Sequence, residues 1–218
     1  MRLQSIIRPT IVIFDLDGVL VDACEWHRIA LNKALKQVSG YIIGEKEHIE
    51  KYNGLPTATK LKMLNLEGRV RPEDNPQIHN LKQEFTIDLI QENIVIDSGK
   101  INLLKWLKSR GCKVACCTNS IRKTTNFMLT GSGIKDFFDI IISNEDVNNP
   151  KPDPEGYIKI IENYNFLPND CMIVEDSLKG IAAANASGAK VMRVRNAIQV
   201  NKDSLERFID ENFNTDGG

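Results

Sequence analysis

The residues best suited to chemistry are two pairs of carboxylates, a hydroxyl-rich tripeptide and one lysine. Asp15-Leu16-Asp17-Gly18 follows the short apolar run IVIF. Two carboxylates two residues apart on a turning backbone point into one pocket, where a nearby cation can keep the first ionised as a nucleophile while the second shuttles a proton. Gly18 lets the chain turn sharply away. A second pair, Glu175-Asp176, ends another apolar run in VEDSLKG. Two acidic pairs at parallel strand ends repel one another unless a cation lies between them. Hard oxygen ligands suit Mg²⁺, which is held by one or two carboxylates and substrate phosphate. A competing use of Asp176 or Ser177 is to cap the following helix.

Thr118-Asn119-Ser120 closes a further apolar run and opens a helix-like segment, so its hydroxyls and backbone N–H groups could cradle phosphate. The other reading is an ordinary helix cap. Lys151 stands between Pro150 and Pro152 in NNPKPDP, and these prolines restrict the backbone that carries its ammonium.

The elements that must position these groups read as an alternation of strands and helices. Besides residues 11–15, strand-like runs occur at VACCT (114–118), DIIIS (139–143), CMIVED (171–176) and KVMRV (190–194). Helix-like segments lie around 100–110, 121–131, 154–165 and 177–187, which predicts a parallel sheet covered on both faces. In such sheets ligands bind beyond the carboxyl ends of the strands, where the polar residues gather. Residues 23–94 contain no strand pattern. Trp26, Ala30, Ala34 with Leu31, Leu35, Val38 predict one amphipathic helix, and Ile78, Leu81, Phe85, Leu89 another after the start signal Pro72-Glu73-Asp74. A third is expected at 57–66. An all-helical insertion directly after the first strand would form a lid over the strand ends, or else pack on the sheet.

The 218 residues are 42% hydrophobic and 26% charged with a net charge of -1, ordinary values for a globular chain that offer no global field to gather nucleic acid or anionic lipid. The five cysteines show no spacing suited to zinc, and reduced buried thiols in a cytoplasmic setting are expected. MRLQSIIRPT leads directly into the first strand, with no stretch resembling a signal or a membrane span. The final NTDGG reads as a frayed end.

FDLDGVLVD, TNS, KPDPEGY and VEDSLKGIAAANASG, in this order, resemble the haloacid dehalogenase superfamily and most closely its β-phosphoglucomutase-like phosphatase branch. The resemblance spans about residues 10 to 195. The dehalogenases themselves lack the second aspartate, present here as Asp17, so phosphoryl transfer is favoured over carbon–halogen cleavage. The resemblance implies an α/β fold, a Rossmann-like parallel sheet core (1–22 and 95–218) with an inserted all-helical cap (23–94). It implies Asp15 as nucleophile and Mg²⁺ ligand, and Asp17 as general acid and base whose backbone carbonyl also binds the metal. Asp176 completes the metal shell, with Glu175 directly or through water. Thr118, the Asn119 backbone and Lys151 would hold the phosphoryl oxygens.

His27 stands where the sugar-phosphate branch often has a histidine at the hinge of core and cap, although a helix-surface histidine is an equal reading. Trp26 reads as packing. Cap specificity is sought around Gly54 and Thr57, with Ser120 facing the same pocket. Where true β-phosphoglucomutases carry a lysine and an arginine in the cap loop, this chain has Asn53 and Thr57, which counts against a mutase. Lys60 or Lys62 could substitute from the next helical turn, but basic residues on an exposed helix are expected to be solvated. The function expected is Mg²⁺-dependent hydrolysis of a small phosphomonoester through a phosphoaspartyl intermediate. The alternatives are a sugar phosphate mutase and an idle relative that only binds a phosphorylated ligand. Nucleic-acid and membrane partners are not expected, and a monomer is compatible with the sequence.

Overall fold

The computed structural model describes residues 9–213; NTDGG lies outside the described residues. Five strands, β1 (Ile11–Phe14), β2 (Lys113–Cys117), β3 (Ile140–Ile142), β4 (Cys171–Glu175) and β5 (Lys190–Arg193), form one parallel sheet in the order β3-β2-β1-β4-β5. β1 is central and fully buried, as its unbroken apolar run requires of a strand covered on both faces. One face carries Val12, Phe14, Val114, Cys116, Met172 and Val174. The other carries Ile11, Ile13, Ala115, Cys117, Cys171 and Ile173.

Four helices form the segment between β1 and β2 that precedes the sheet's own covering layers: α1 (Cys24–Ser39), the short α2 (Glu45–Glu47) running into a π-helical turn at His48–Tyr52, α3 (Thr57–Leu66) and α4 (Asn75–Asn93). They enclose a core of their own, built around Leu31, Leu35, Ile43, Tyr52, Leu61 and Leu64. Trp26 instead packs toward the sheet-side core. The two faces of the sheet are then covered by α5 (Ser98–Ser109), α6 (Arg122–Gly131) and α9 (Lys202–Phe213) on one side, and by α7 (Glu155–Asn163) and α8 (Leu178–Ala186) on the other. Among the described residues, no helix is long and apolar enough to cross a membrane. All five cysteines are free thiols, four of them buried.

Register decides what meets at the carboxyl edge. Phe14 is level with Cys116 on one side and with Val174 on the other. Asp15, Cys117 and Glu175 therefore follow at one height. α8 then starts beside Glu175, with the Ser177 side chain accepting from the Gly180 N–H at 3.0 Å. Of the two capping candidates it is Ser177 that caps, which leaves the Asp176 carboxylate free for other work. Gly180 sits so close that a methyl group there would collide with the Glu175 carboxylate.

Gly180→Ala is accordingly expected to lower stability by about 1–3 kcal/mol, the usual cost of overpacking, measured by urea denaturation. An unchanged midpoint would mean that α8 does not press on Glu175.

Candidate active site

The site grows from the end of β1. Lys151 donates from Nζ to Asp15 Oδ1 at 2.7 Å, to Glu175 Oε1 at 2.6 Å and to the Cys117 carbonyl at 2.7 Å. All three ammonium protons are thus used, and the side chain is buried. Burial works against its charge, but Asp15 and Glu175 outweigh it and hold the ammonium well above its ordinary range. Glu175, fully buried, also takes the Tyr157 hydroxyl at 2.8 Å on Oε1, and the Asp176 and Ser177 N–H groups at 3.0 and 3.2 Å on Oε2. It is the most heavily hydrogen-bonded acid of the group and fixes Lys151 in place.

Asp15 is pushed well above the ordinary carboxylate range by burial and by the charges of Glu175, Asp176 and Asp17, against the pull of Lys151. Asp176 is pushed up to about 7 by burial and by Glu175 and Asp17, and its Oδ1 is buried without any hydrogen-bond partner. Ligand atoms of Asp15, Glu175 and Asp176 lie within 4.8 Å of one another. Crowded carboxylates, one with an orphaned buried oxygen, are a donor set that fits a hard divalent cation.

Asp17 occupies a different environment. Its Oδ2 accepts from the Ser120 hydroxyl at 2.8 Å, and its Oδ1 lies 2.9 Å from His27 Nε2. Lys82 Nζ is 3.0 Å from the other ring nitrogen, Nδ1. An ammonium can only donate, so Nδ1 accepts and Nε2 carries the proton given to Asp17. Burial acts to raise the Asp17 carboxyl, but His27, Ser120 and Lys82 together hold it below the usual range. Burial and Lys82 lower His27 in turn. Of the two readings of His27, the structure places it inside the site.

Thr118-Asn119-Ser120 does not cap α6, which begins at Arg122 with Ile121 at its cap position. Instead the Ser120 N–H donates to Thr118 Oγ1 at 3.0 Å. The Asn119 side chain donates to the Gly54 carbonyl at 2.8 Å and to the Lys151 carbonyl at 3.1 Å, tying a helical-segment loop to the strand ends. A cavity of about 70 Å³ lies between them. Its walls include Asp15, Asp17 and Asp176 below, and Gly54, Thr57 and Lys60 above.

Two lysines depart from the sequence reading. Lys60 was expected in solvent but is buried on the cavity wall, because it shares the inner face of α3 with Leu61 and Leu64; Lys62 is exposed. Lys82 escaped notice. Its signal was positional: with Ile78, Thr86, Leu89 and Ile90 it lies on the buried face of α4, where a lysine needs a polar partner.

A model of the haloacid dehalogenase-like hydrolases matches residues 12–194. The chain belongs to that family. Phosphorylated carbohydrates phosphatase of Thermotoga maritima is 29% identical over 81% of this chain and 81% of its own length. Phosphoglycolate phosphatase of Nitrosospira multiformis is 28% identical over 89% of this chain and 87% of its own. Among solved structures, β-phosphoglucomutase of Clostridium difficile superposes with a TM-score of 0.78 at 24% identity, covering 93% of this chain and 97% of that one; it shares the fold. This haloacid dehalogenase-like chain is an enzyme of the phosphatase type, and its parallel sheet with flanking helices is the Rossmann-like arrangement of the family.

Asp176 links metal to pH. Its unfolded carboxyl titrates near 3.8 and the folded one near 7, so between these values the folded chain holds a proton that the unfolded chain has released. Stability of the metal-free protein therefore falls as pH rises through this window. A divalent cation held here would bind the ionised form, so the stabilising effect of added Mg²⁺ on the thermal midpoint is expected to be larger above pH 7 than below it, and Asp176→Asn should flatten that difference. A Mg²⁺ effect independent of pH in the unsubstituted protein would refute this assignment.

Proposed function

We propose that this enzyme hydrolyses a small phosphomonoester, a sugar phosphate or similar compound, with Mg²⁺ and through a phosphoaspartyl intermediate on Asp15. The observation that carries the proposal is that Asp15 and Asp17 face one cavity in opposite electrostatic settings. Carboxylates whose environments are pushed apart are the mark of divided nucleophilic and acid–base roles. Asp15, crowded by acids, needs cationic charge to stay ionised. Asp17 is held by two hydrogen-bond partners, His27 and Ser120, with the charge of Lys82 behind His27.

In this reading Asp15 attacks phosphorus in line and the bond to the leaving oxygen breaks, with Asp17 supplying its proton. Asp17 then takes a proton from water, whose oxygen attacks phosphorus and releases Asp15 and inorganic phosphate. In the ligand-free site Asp17 is in its base form, ready for the second step; a phosphoryl dianion beside it raises its proton affinity for the first. Thr118 and the Asn119 backbone hold the transferring oxygens, and Lys151 joins them by giving up one of its three present bonds. Asp15, Asp176 and the Asp17 carbonyl, with Glu175 directly or through water, would hold Mg²⁺, which when bound would supply positive charge to Asp15 and the phosphoryl group. The helical segment, residues 23–94, serves as a cap over a core of 1–22 and 95–218, with Gly54, Thr57, His27 and Ser120 toward the substrate. The unpaired thiols support a reducing cytoplasmic setting.

The test is a panel of phosphomonoesters assayed for phosphate release with Mg²⁺ and with excess chelator. Asp15→Asn is expected to reduce the rate on the best substrate to less than about a hundredth, the scale of losing a nucleophile. Retained turnover, or full activity in chelator, would sink the mechanism. The panel includes β-glucose 1-phosphate with and without the 1,6-bisphosphate; bisphosphate-dependent isomerisation faster than phosphate release would make the enzyme a mutase.

Asp17→Ala is expected to slow poor leaving groups more than aryl phosphates, because only the former need the proton. Equal losses across leaving groups would remove Asp17 from the general-acid role.

A further inference from the structure

Tyr157 closes the KPDPEGY stretch, and the reaction above does not use it. The side chain is fully buried. It belongs to the first turn of α7, which approaches β2 so closely that a methyl group on Gly156 would lie 2.8 Å from the Cys117 sulfur. This approach brings the tyrosine against both members of the central ion pair. Its hydroxyl donates to Glu175 Oε1 at 2.8 Å, the same oxygen that accepts from Lys151 at 2.6 Å. Lys151 Nζ also lies over the tyrosine ring, 4.8 Å from its centroid, within the range of cation–π attraction.

An ammonium has three protons, and those of Lys151 go to Asp15, Glu175 and the Cys117 carbonyl. To hold a phosphoryl oxygen it has to release one of these acceptors, and the three differ in what release leaves behind. Among the described residues, Glu175 Oε1 alone of the three has a second side-chain donor, the Tyr157 hydroxyl. Release from Asp15 would withdraw the ion pair this carboxylate makes with the protein. A buried acceptor left without a donor is costly, so the bond to Glu175 is the one whose loss costs least.

We propose that Tyr157 is a positioning residue for phosphoryl binding: its hydroxyl holds Glu175 Oε1 when Lys151 leaves that oxygen for the phosphoryl group. This rests on the phosphatase reading and adds a residue to it. Tyr157→Phe isolates the hydroxyl, because the ring beneath the ammonium stays. While Lys151 remains on Glu175, Oε1 still has a donor in this variant; once Lys151 leaves, it has no side-chain donor. The substitution therefore acts against the phosphoryl-bound state more than against the free one.

The experiment is calorimetric titration with inorganic phosphate, at Mg²⁺ saturating for each variant. Tyr157→Phe is expected to weaken phosphate binding by about tenfold, the scale of depriving a buried charged acceptor of its donor, and to lower kcat/KM on the best phosphomonoester by a similar factor. In a Lys151→Met background the same substitution is expected to change phosphate affinity by less than about twofold, because residues that act through one another are not additive. Unchanged phosphate affinity in Tyr157→Phe, even with a lower thermal midpoint, would reduce Tyr157 to packing, and equal losses in both backgrounds would show that it does not act through Lys151. Should a variant not fold, or Lys151→Met bind no measurable phosphate, a crystal structure of the unsubstituted protein with Mg²⁺ and phosphate decides. Lys151 Nζ is then expected beyond about 3.5 Å from Glu175 Oε1, outside hydrogen-bond reach, with the Tyr157 hydroxyl still on that oxygen. A Lys151 that stays on Glu175 would overturn the proposal. No phosphate bound beside Asp15 in the unsubstituted protein, together with no hydrolysis of any phosphomonoester, would overturn the phosphatase reading itself.

Discussion

Repulsion among carboxylates at the carboxyl edge of the sheet is the constraint on which the rest of this structure depends. Charges within 4.8 Å of one another repel by about 3 kcal/mol or more at an effective dielectric near 20. Lys151 meets part of that repulsion by binding Asp15 and Glu175 together. It cannot meet all of it, and the remainder appears in the raised proton affinities of Asp15 and Asp176. A site in this condition favours protons or a divalent cation.

The sheet order imposes the crowding. β1 lies between β2 and β4, and parallel pairing in register brings three strand ends to one level. Further features then act in the same direction. The backbone N–H groups of Asp176 and Ser177 turn toward Glu175, and the absence of a side chain at Gly180 gives that carboxylate room. A buried acid satisfied in this way becomes a rigid post, and Lys151 is hung from it. Breaking such a buried pair from one side leaves an uncompensated charge, so Glu175 and Lys151 are coupled in stability as much as in chemistry.

The helical segment answers the acidic floor with a basic wall. Lys82 and His27 orient Asp17 from above and Ser120 holds it from the strand ends, so its carboxylate is held by elements on both sides of the cavity. The loop carrying Gly54 is tied down by Asn119 and, at its rim, by Lys179, which donates to the Asn53 carbonyl at 3.0 Å. The geometry of the strand-end residues and the position of the helical segment are therefore parts of one hydrogen-bonded system.

By itself the sequence determined the strand and helix alternation and the acids at the strand ends, while Lys151 and the Thr118-Asn119-Ser120 turn joined them through the family resemblance. These are legible because burial on both faces demands continuous apolar runs, and because polar residues immediately after such runs have only the carboxyl edge to occupy. Local pattern also located the helix at 57–66 and the start of the one at 75–93. What only the tertiary structure decided is which long-range partners those groups take. Lys60 and Lys62 are two residues apart on one helix and chemically identical, yet one is buried in the cavity and the other is in solvent, since the face of α3 that packs inward is set by contacts with α1 and α4. Lys82 pairs with His27 across 55 residues, and Asp17 with Ser120 across 103. Nothing in the spacing of either pair records the contact. Direction and distance between side chains are properties of packed elements, and packing is fixed by the whole chain at once.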